Sequence, residues 1–407
     1  VAQLRDDDAR ARHQPLTPDD REHAYHAEIS YYEDRARGLW ESARDGTDGA
    51  VDAFARWEAP LTDDGARTVL ARAHGFATWD ALAQHVSTLE EGGDPFFLAY
   101  RAIEAHDVDG LKAELERSPD LVGAVGTNGD DLLGMATSTC DERLVRALLD
   151  AGADPNHGNA HGWTALHQAG YSGLPLLVTM LLRAGARPDV FARGDGGTPL
   201  VVALFWGHRD TADLLAEQGI QPRNLRVAAG LGRLDLIDEL VSADGTLAPE
   251  AGAHRAFYRP HGGFPHWEPS DDPQEILDEG LTWAARSDRL GAIDVLVERG
   301  ARVNADVHRG TALMWAAGID RPGAVRRLID LGADPSGRAR FGGPGWGDDL
   351  TALHVAAYNG RLDAITALLD AGADPTVKDS LHHGTPRGWA EHAGQREAAK
   401  LLAARGG

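Results

Sequence analysis

A chain of 407 residues is long enough for two or three ordinary domains, or for one long solenoid with a cap. Its 40 basic and 63 acidic residues give a formal charge of −23 and a sequence pI near 5.1, so nucleic acid and anionic membrane surfaces are not expected partners. A single cysteine, Cys140, excludes an internal disulfide framework and fits a reducing cytoplasm.

Only Lys112, Lys378 and Lys400 among the basic residues are lysines, and Ala, Gly and Asp are used heavily, a composition that points to a GC-rich bacterial genome. The opening run Val1 to Asp8 is polar and lacks the apolar core of a secretory leader. No stretch reaches the roughly 18 consecutive apolar residues of a membrane span. The expectation is a soluble, cytoplasmic protein.

The first predicted elements are helices. Tyr25, Ile29, Tyr32, Ala36, Leu39 and Ala43 are spaced four or three residues apart, one face of a helix, with Asp19 or Asp20 as its cap. Val51, Phe54 and Trp57 mark a second helix. Val69, Leu70 and Ala73, behind Thr62, mark a third, and Trp79, Leu82, Val86 and Leu89, behind Thr78, a fourth. These helices fill residues 1–94, expected as a domain that covers the open end of a stack formed by the rest of the chain.

From residue 95 to 407 a phrase recurs. Its copies begin at Gly152, Gly185, Gly219, Gly300, Gly332 and Gly372, which are 33, 34, 81, 32 and 40 residues apart. A period near 33 marks a stacked repeat. A second phrase recurs as well: Thr164-Ala165-Leu166-His167, Thr351-Ala352-Leu353-His354, and the variants at Thr198, Thr311 and Thr385. Each opens a short apolar helix, and a turn such as Asn359-Gly360 leads into a second, amphipathic helix from Leu362 to Leu369. This pattern closely resembles the ankyrin repeat, which implies an all-α solenoid of helix-turn-helix units joined by finger hairpins. About nine units are expected, starting near Phe96, Asp130, Trp163, Thr198, Leu225, Leu281, Thr311, Thr351 and Thr385. The last resembles a polar cap, and the 1–94 segment resembles a helical extension found ahead of such repeats in bacterial proteins.

The period breaks twice. Val241 to Leu281, where the next first helix is expected to resume, is 40 residues, against 17 from Leu149 to Leu166. The finger insertions are therefore 242–280 and 337–350. The first is rich in aromatics and histidines, and long ordered loops in compact folds are usually functional. Inserts at fingers are expected to fold over the concave groove.

The inserts hold the candidate site. His261, His266, Asp271 and Asp272 are candidate acid–base residues, since paired carboxylates and imidazoles can exchange protons at neutral pH. Asp271 or Asp272 can equally cap the helix from Gln274. Arg255, Arg259, Arg338 and Arg340 suit a carboxylate or phosphate, or equally an ion pair with Asp271, Asp272 or Asp348. Tyr258, Trp267, Trp283, Trp315 and Trp346 suit the wall of a binding site or the core. His254, His261 and His266, spaced 7 and 5 apart, do not have a zinc spacing, and no metal or cofactor is expected. The resemblance assigns His167 and His354 to structural hydrogen bonds between fingers. No phosphate loop, nucleophile elbow or dinucleotide fingerprint is present.

Two functions compete. The resemblance implies recognition of a partner through the concave groove and fingers. The non-repeated residues of the inserts fit a small-molecule site beneath 242–280, run as an acid–base cyclase, isomerase or hydrolase. Whether the chain is catalytic, and its oligomeric state, stay open at this level.

Overall fold

The computed structural model describes residues 29–44, 48–74, 76–90, 95–126, 129–159, 161–258, 269–307, 310–342, 346 and 349–406. Two compact units divide the chain: residues 1–168 with 180–186, and residues 169–179 with 187–407. No boundary between compact units falls at 94/95.

The first unit opens with α1 (Ile29–Arg44), α2 (Asp48–Arg56), α3 (Asp63–Ala73) and α4 (Trp79–Glu90). The face read from the sequence is the buried one: Tyr32, Ala36, Leu39 and Ala43 of α1 are all in the core. Tyr25, Asp19 and Asp20 lie outside the described residues. Thr62 caps α3 by accepting the Gly65 N–H at 3.0 Å, with Asp63 and Asp64 in the first turn, where the helix dipole favours negative charge. Thr78 accepts the Ala81 N–H ahead of α4. Two apolar clusters hold these helices, one around Leu39, Phe54 and Leu70 and one around Tyr32, Leu82 and Val86, and Trp79 packs against both.

Helices then run in successive pairs. They are α5 (Pro95–Glu104) and α6 (Val108–Arg117), α7 (Leu132–Ser138) and α8 (Glu142–Asp150), and α9 (Ala165–Ser172) and α10 (Pro175–Arg183), the last pair lying across the division between units. The second unit continues with α11 (Pro199–Phe205) and α12 (Arg209–Ala216), α13 (Leu225–Leu231) and α14 (Leu234–Leu240), and α15 (Pro273–Arg286) and α16 (Leu290–Glu298). It ends with α17 (Ala312–Gly318) and α18 (Pro322–Asp330), α19 (Ala352–Tyr358) and α20 (Leu362–Asp370), and α21 (Pro386–His392) and α22 (Arg396–Ala404). Here α13, α15, α17, α19 and α21 pack side by side as a first-helix layer, and α14, α16, α18, α20 and α22 as a second. Antiparallel bridges such as Asp306 to Thr311 and Ala339 to Leu350 close the fingers.

The six phrase glycines all take left-handed φ values, from 87° to 121°. A Cβ at any of them would meet no heavy atom within 4 Å. Backbone conformation, not space, therefore selects glycine there.

The long excursion differs from its sequence reading. The first helix does not resume at Leu281; α15 starts at Pro273 and runs 14 residues, twice the length of α13 or α17. Asp272 Oδ1 accepts the Gln274 N–H at 3.0 Å and Pro273 pre-sets the first turn, so the helix nucleates one turn or more ahead of the repeat register. Every residue from Ile276 to Arg286 is buried, which extends the core over that added length. The stretch before it is also built: a Val241–Leu247 bridge and short 3₁₀ turns at Pro249–Gly252 and Ala256–Tyr258.

Candidate functional site

Neighbouring fingers are tied by side chains from the first helices. His354 Nδ1 accepts the Thr351 N–H at 3.2 Å, which leaves the proton on Nε2 to donate to the Gly384 carbonyl of the next finger at 3.1 Å. Burial holds the His354 pKa below its ordinary value, so the ring is neutral at pH 7. In α13 the same place is taken by Arg226, as Leu225-Arg226-Val227 aligns with Leu353-His354-Val355. Arg226 donates to the carbonyls of Arg255 at 3.0 Å and His254 at 3.2 Å, again in the following connection.

A guanidinium needs a counter-charge when buried, and Glu279 of α15 supplies it. Its Oε1 lies 3.3 Å from Arg226 Nη1 and its Oε2 2.6 Å from Arg255 Nη1. Arg255 also donates to the carbonyls of Gly252 and Ser270. One guanidinium thus joins the two strands of chain that leave and re-enter the excursion. Glu275 reinforces the return strand by accepting from the Ser270 N–H at 2.8 Å and the Ser270 hydroxyl at 2.9 Å. The outgoing strand rests on the finger before α11: His254 pairs with Asp195, and Phe257 is buried against Phe205.

A row of aromatic rings crosses the first-helix layer. Tyr171, Trp206, Phe205, Trp315, Phe341, Trp346 and Trp389 follow one another at centroid distances of 4.8 to 5.8 Å. Arg286 lies inside it, its guanidinium 3.6 Å from the Trp315 ring centroid and 4.3 Å from that of Phe205, and it donates to the Phe205 carbonyl at 3.0 Å. The 337–350 finger reaches this row through Phe341. Gly310 makes that approach possible, since a Cβ there would come within 2.4 Å of Trp315.

Outside the core, the finger edge carries an open cleft of about 630 Å³ between the start of α15 and the finger 302–307. Asp272, Glu275, Asp278, Asn304 and Asp306 line it, with Arg302 as its cation. Asp278 is bound by Arg302 through the backbone N–H at 2.6 Å and Nε at 2.8 Å, which holds that guanidinium above its ordinary pKa. Further along the edge Arg340 reaches Asp306 at 3.5 Å and Arg338 donates to the Lys378 carbonyl at 3.2 Å.

The residues expected at a site therefore separate. Arg255 and Trp283 are buried and engaged: Arg255 with Glu279, and Trp283 beneath the Arg226 guanidinium at 4.9 Å. Trp315 is buried under Phe341 and Arg286, and these three present almost no surface to a groove. Asp272 caps α15, Asp271 is exposed beside it, and Arg340 is exposed on the finger edge. Trp346 is half-buried against Tyr358 and Trp389. Arg259, His261, His266, Trp267 and Asp348 lie outside the described residues, as does the Tyr258 side chain. Among the described residues no three His, Cys, Asp or Glu side chains converge as metal ligands. Cys140 is half-buried in the turn after α7 rather than in the core.

Sequence reasoning missed Arg226, Glu279, Arg286 and Phe341. A signal existed for Arg226, a lone charged residue inside the short and otherwise apolar helix α13, the pattern of a paired buried charge.

These helix pairs and finger ties define a class. A family model of ankyrin repeats, in three copies, matches residues 133–226 and 281–379 and leaves out the interval that holds α14 and the long excursion. The chain is an ankyrin-repeat protein with additional helices ahead of the repeats. Such repeats generally mediate protein–protein interactions. Among its relatives, the chain is 33% identical over 120 residues to the Drosophila melanogaster E3 ubiquitin-protein ligase Ufd4, covering 29% of this chain and 4% of that protein. It is 36% identical over 92 residues to the Oryza sativa BTB/POZ domain and ankyrin repeat-containing protein NPR1, covering 22% and 15%. It is 31% identical over 124 residues to the Bos taurus SMC5-SMC6 complex localization factor protein 1, covering 28% and 12%. The chain thus spans at most 15% of the length of these relatives. Among the described residues no helix is long and apolar enough to cross a membrane.

Proposed function

We propose that the chain is a recognition protein that takes a protein partner along the finger edge and first-helix face of its repeats, with the pairs α5/α6 to α21/α22 serving as nine repeat units. The observation that carries this reading is how residues 187–407 are used. Arg255, Trp283 and Trp315 are consumed internally, whereas Arg302, Asn304, Arg338, Arg340 and Lys378 stay exposed along joined fingers beside an open cleft. An open, broad, polar edge suits a macromolecular partner better than an enclosed small-molecule pocket does. A photo-crosslinking residue placed at Val307 and at Ser380, with one at Asp363 on α20 as a control, tests it. Protein adducts should form from the finger positions; adducts from Asp363 alone would overturn the reading.

A second reading, a small-molecule site beneath 242–280 that uses His261 and His266 for proton transfer, is favoured by one observation: a buried clasp at Arg255 fixes both strands at the base of that excursion. Thermal-shift screening against a metabolite set, repeated on His261→Ala and His266→Ala, tests it. Stabilisation that vanishes in the variants supports it, and no stabilisation in the wild-type chain counts against it.

A further inference from the structure

The recognition reading leaves the partner's chemistry unspecified. The finger tips of the last units narrow it. In a chain of formal charge −23, three exposed cations gather there: Arg338 and Arg340 on one finger and Lys378, one of only three lysines, on the next. Their fingers are in contact, since Arg338 Nη1 donates to the Lys378 carbonyl.

Asp349 lies across the hairpin from Arg340 and Asp374 is exposed on the Lys378 finger, while two further carboxylates are engaged within the fold. Asp379 is 1% exposed, and its oxygens accept the N–H groups of Leu381, His382 and Gly384 and the indole N–H of Trp389. Asp306 accepts the Gly310 N–H at 2.8 Å besides pairing with Arg340, and only 19% of its side chain is exposed. Beside the cations stands Leu381, 51% exposed, next to the exposed His382 and His383. The base beneath them is fixed: the Asp374 N–H donates to the Ser336 hydroxyl at 2.9 Å and the Asp379 N–H to the Gly384 carbonyl at 3.1 Å. A preformed surface loses little freedom on binding.

We propose that Arg338, Arg340, Lys378 and Leu381 form a docking surface for an acidic, leucine-bearing segment of a partner protein. This rests on the recognition reading. A short acidic segment feels mainly the charges within about 10 Å of it at 0.1 M salt, so it meets Arg338, Arg340 and Lys378 rather than the net charge of the whole chain. A long polyanion feels the whole acidic chain and is repelled, so nucleic acid is the disfavoured occupant.

The experiment uses the full chain and a fluorescein-labelled peptide of alternating Glu and Leu, read by fluorescence anisotropy. Binding should weaken about tenfold on combining Arg338→Glu with Lys378→Glu, the order expected of losing exposed charge pairs. It should weaken with Leu381→Ser and at high salt, and stay unchanged with Arg183→Glu on α10, while melting curves of all variants match the wild type. Equal binding by the double variant, or displacement of the peptide by double-stranded DNA, would overturn the proposal. Crosslinks from Val307 but none from Ser380 would also overturn it while leaving the recognition reading standing; no finger crosslinks at all would remove both.

Discussion

Arg255 and Glu279 meet at 2.6 Å with neither side chain more than 2% exposed, and Arg226 reaches the other oxygen of the same carboxylate. A carboxylate between two buried guanidinia holds the excursion to α13 and α15 together. Removing it leaves Arg226 without this counter-ion and Arg255 with only Glu275, at 3.5 Å. Glu279→Gln should therefore cost about 3–5 kcal/mol, the range for breaking a buried pair from one side. Replacing partners together, as Arg255→Met with Glu279→Leu, should cost less than the sum of the single changes, because Met and Leu leave fewer uncompensated charges. Urea titration of Glu279→Gln, of Arg255→Met and Glu279→Leu singly, and of the double variant measures both statements.

How far the sequence can be read depends on what is periodic. Gly152 to Gly372, the Thr351-type caps and the buried face of α1 obey local rules, and those residues are where local rules place them. The start of α15 is not periodic: only the Asp272-Pro273 pair announces it, and a repeat-based alignment overrides that signal. Trp283 and Arg255 have the composition of a binding site, and their burial depends on Arg226 and Glu279, which are distant in sequence. Side-chain pairings across 29 residues (Arg226 to Arg255) or 53 (Arg226 to Glu279) have no local signature.

A second inter-repeat device predicts graded losses. The carbonyl that ends a first helix is met by a side chain at the start of the next second helix: His208 to Tyr171, Arg289 to Gly230, Arg321 to Arg286 and Arg361 to Gly318. Arg321 also donates to the Gly207 carbonyl. Arg321→Met, which strands two carbonyls, should cost about 1–3 kcal/mol, and Arg361→Met, which strands one, less. Thermal melts of the two variants side by side check the order.

His354 and His208 make the fold acid-sensitive near neutrality. Burial lowers both pKa values from 6.5, in each case against a bond to a backbone carbonyl that raises it. Above pH 6.5 both states are neutral and stability is unaffected. As pH falls below that value the unfolded chain takes up protons first, so stability declines until the folded pKa values are reached. His354→Gln should be less stable at pH 7 by about 1 kcal/mol, from the altered finger tie, yet show a shallower decline between pH 6.5 and 5. Denaturation midpoints across that interval test it; an unchanged slope would mean that His354 does not titrate in this way.

Asp379 acts at lower pH and with the opposite charge. Burial pushes its pKa up, but the hydrogen bonds from His382, Trp389, Gly384 and Leu381 outweigh that and set it below 3.8. A carboxyl depressed in the folded state stabilises the fold above its unfolded value, and that contribution is lost as pH falls through the folded pKa. The affected structure is local, because Asp379 fixes the last finger and the Trp389 indole to which it bonds at 2.9 Å. Asp379→Asn removes one accepting oxygen and places a donor against the N–H groups of that finger, so about 1–3 kcal/mol should be lost at pH 7. Hydrogen exchange should show faster opening confined to Asp379–Gly384 and α21, with α13 and α15 unchanged. The wild-type chain should show the same local opening when acidified below pH 4, and the variant should show no further change there.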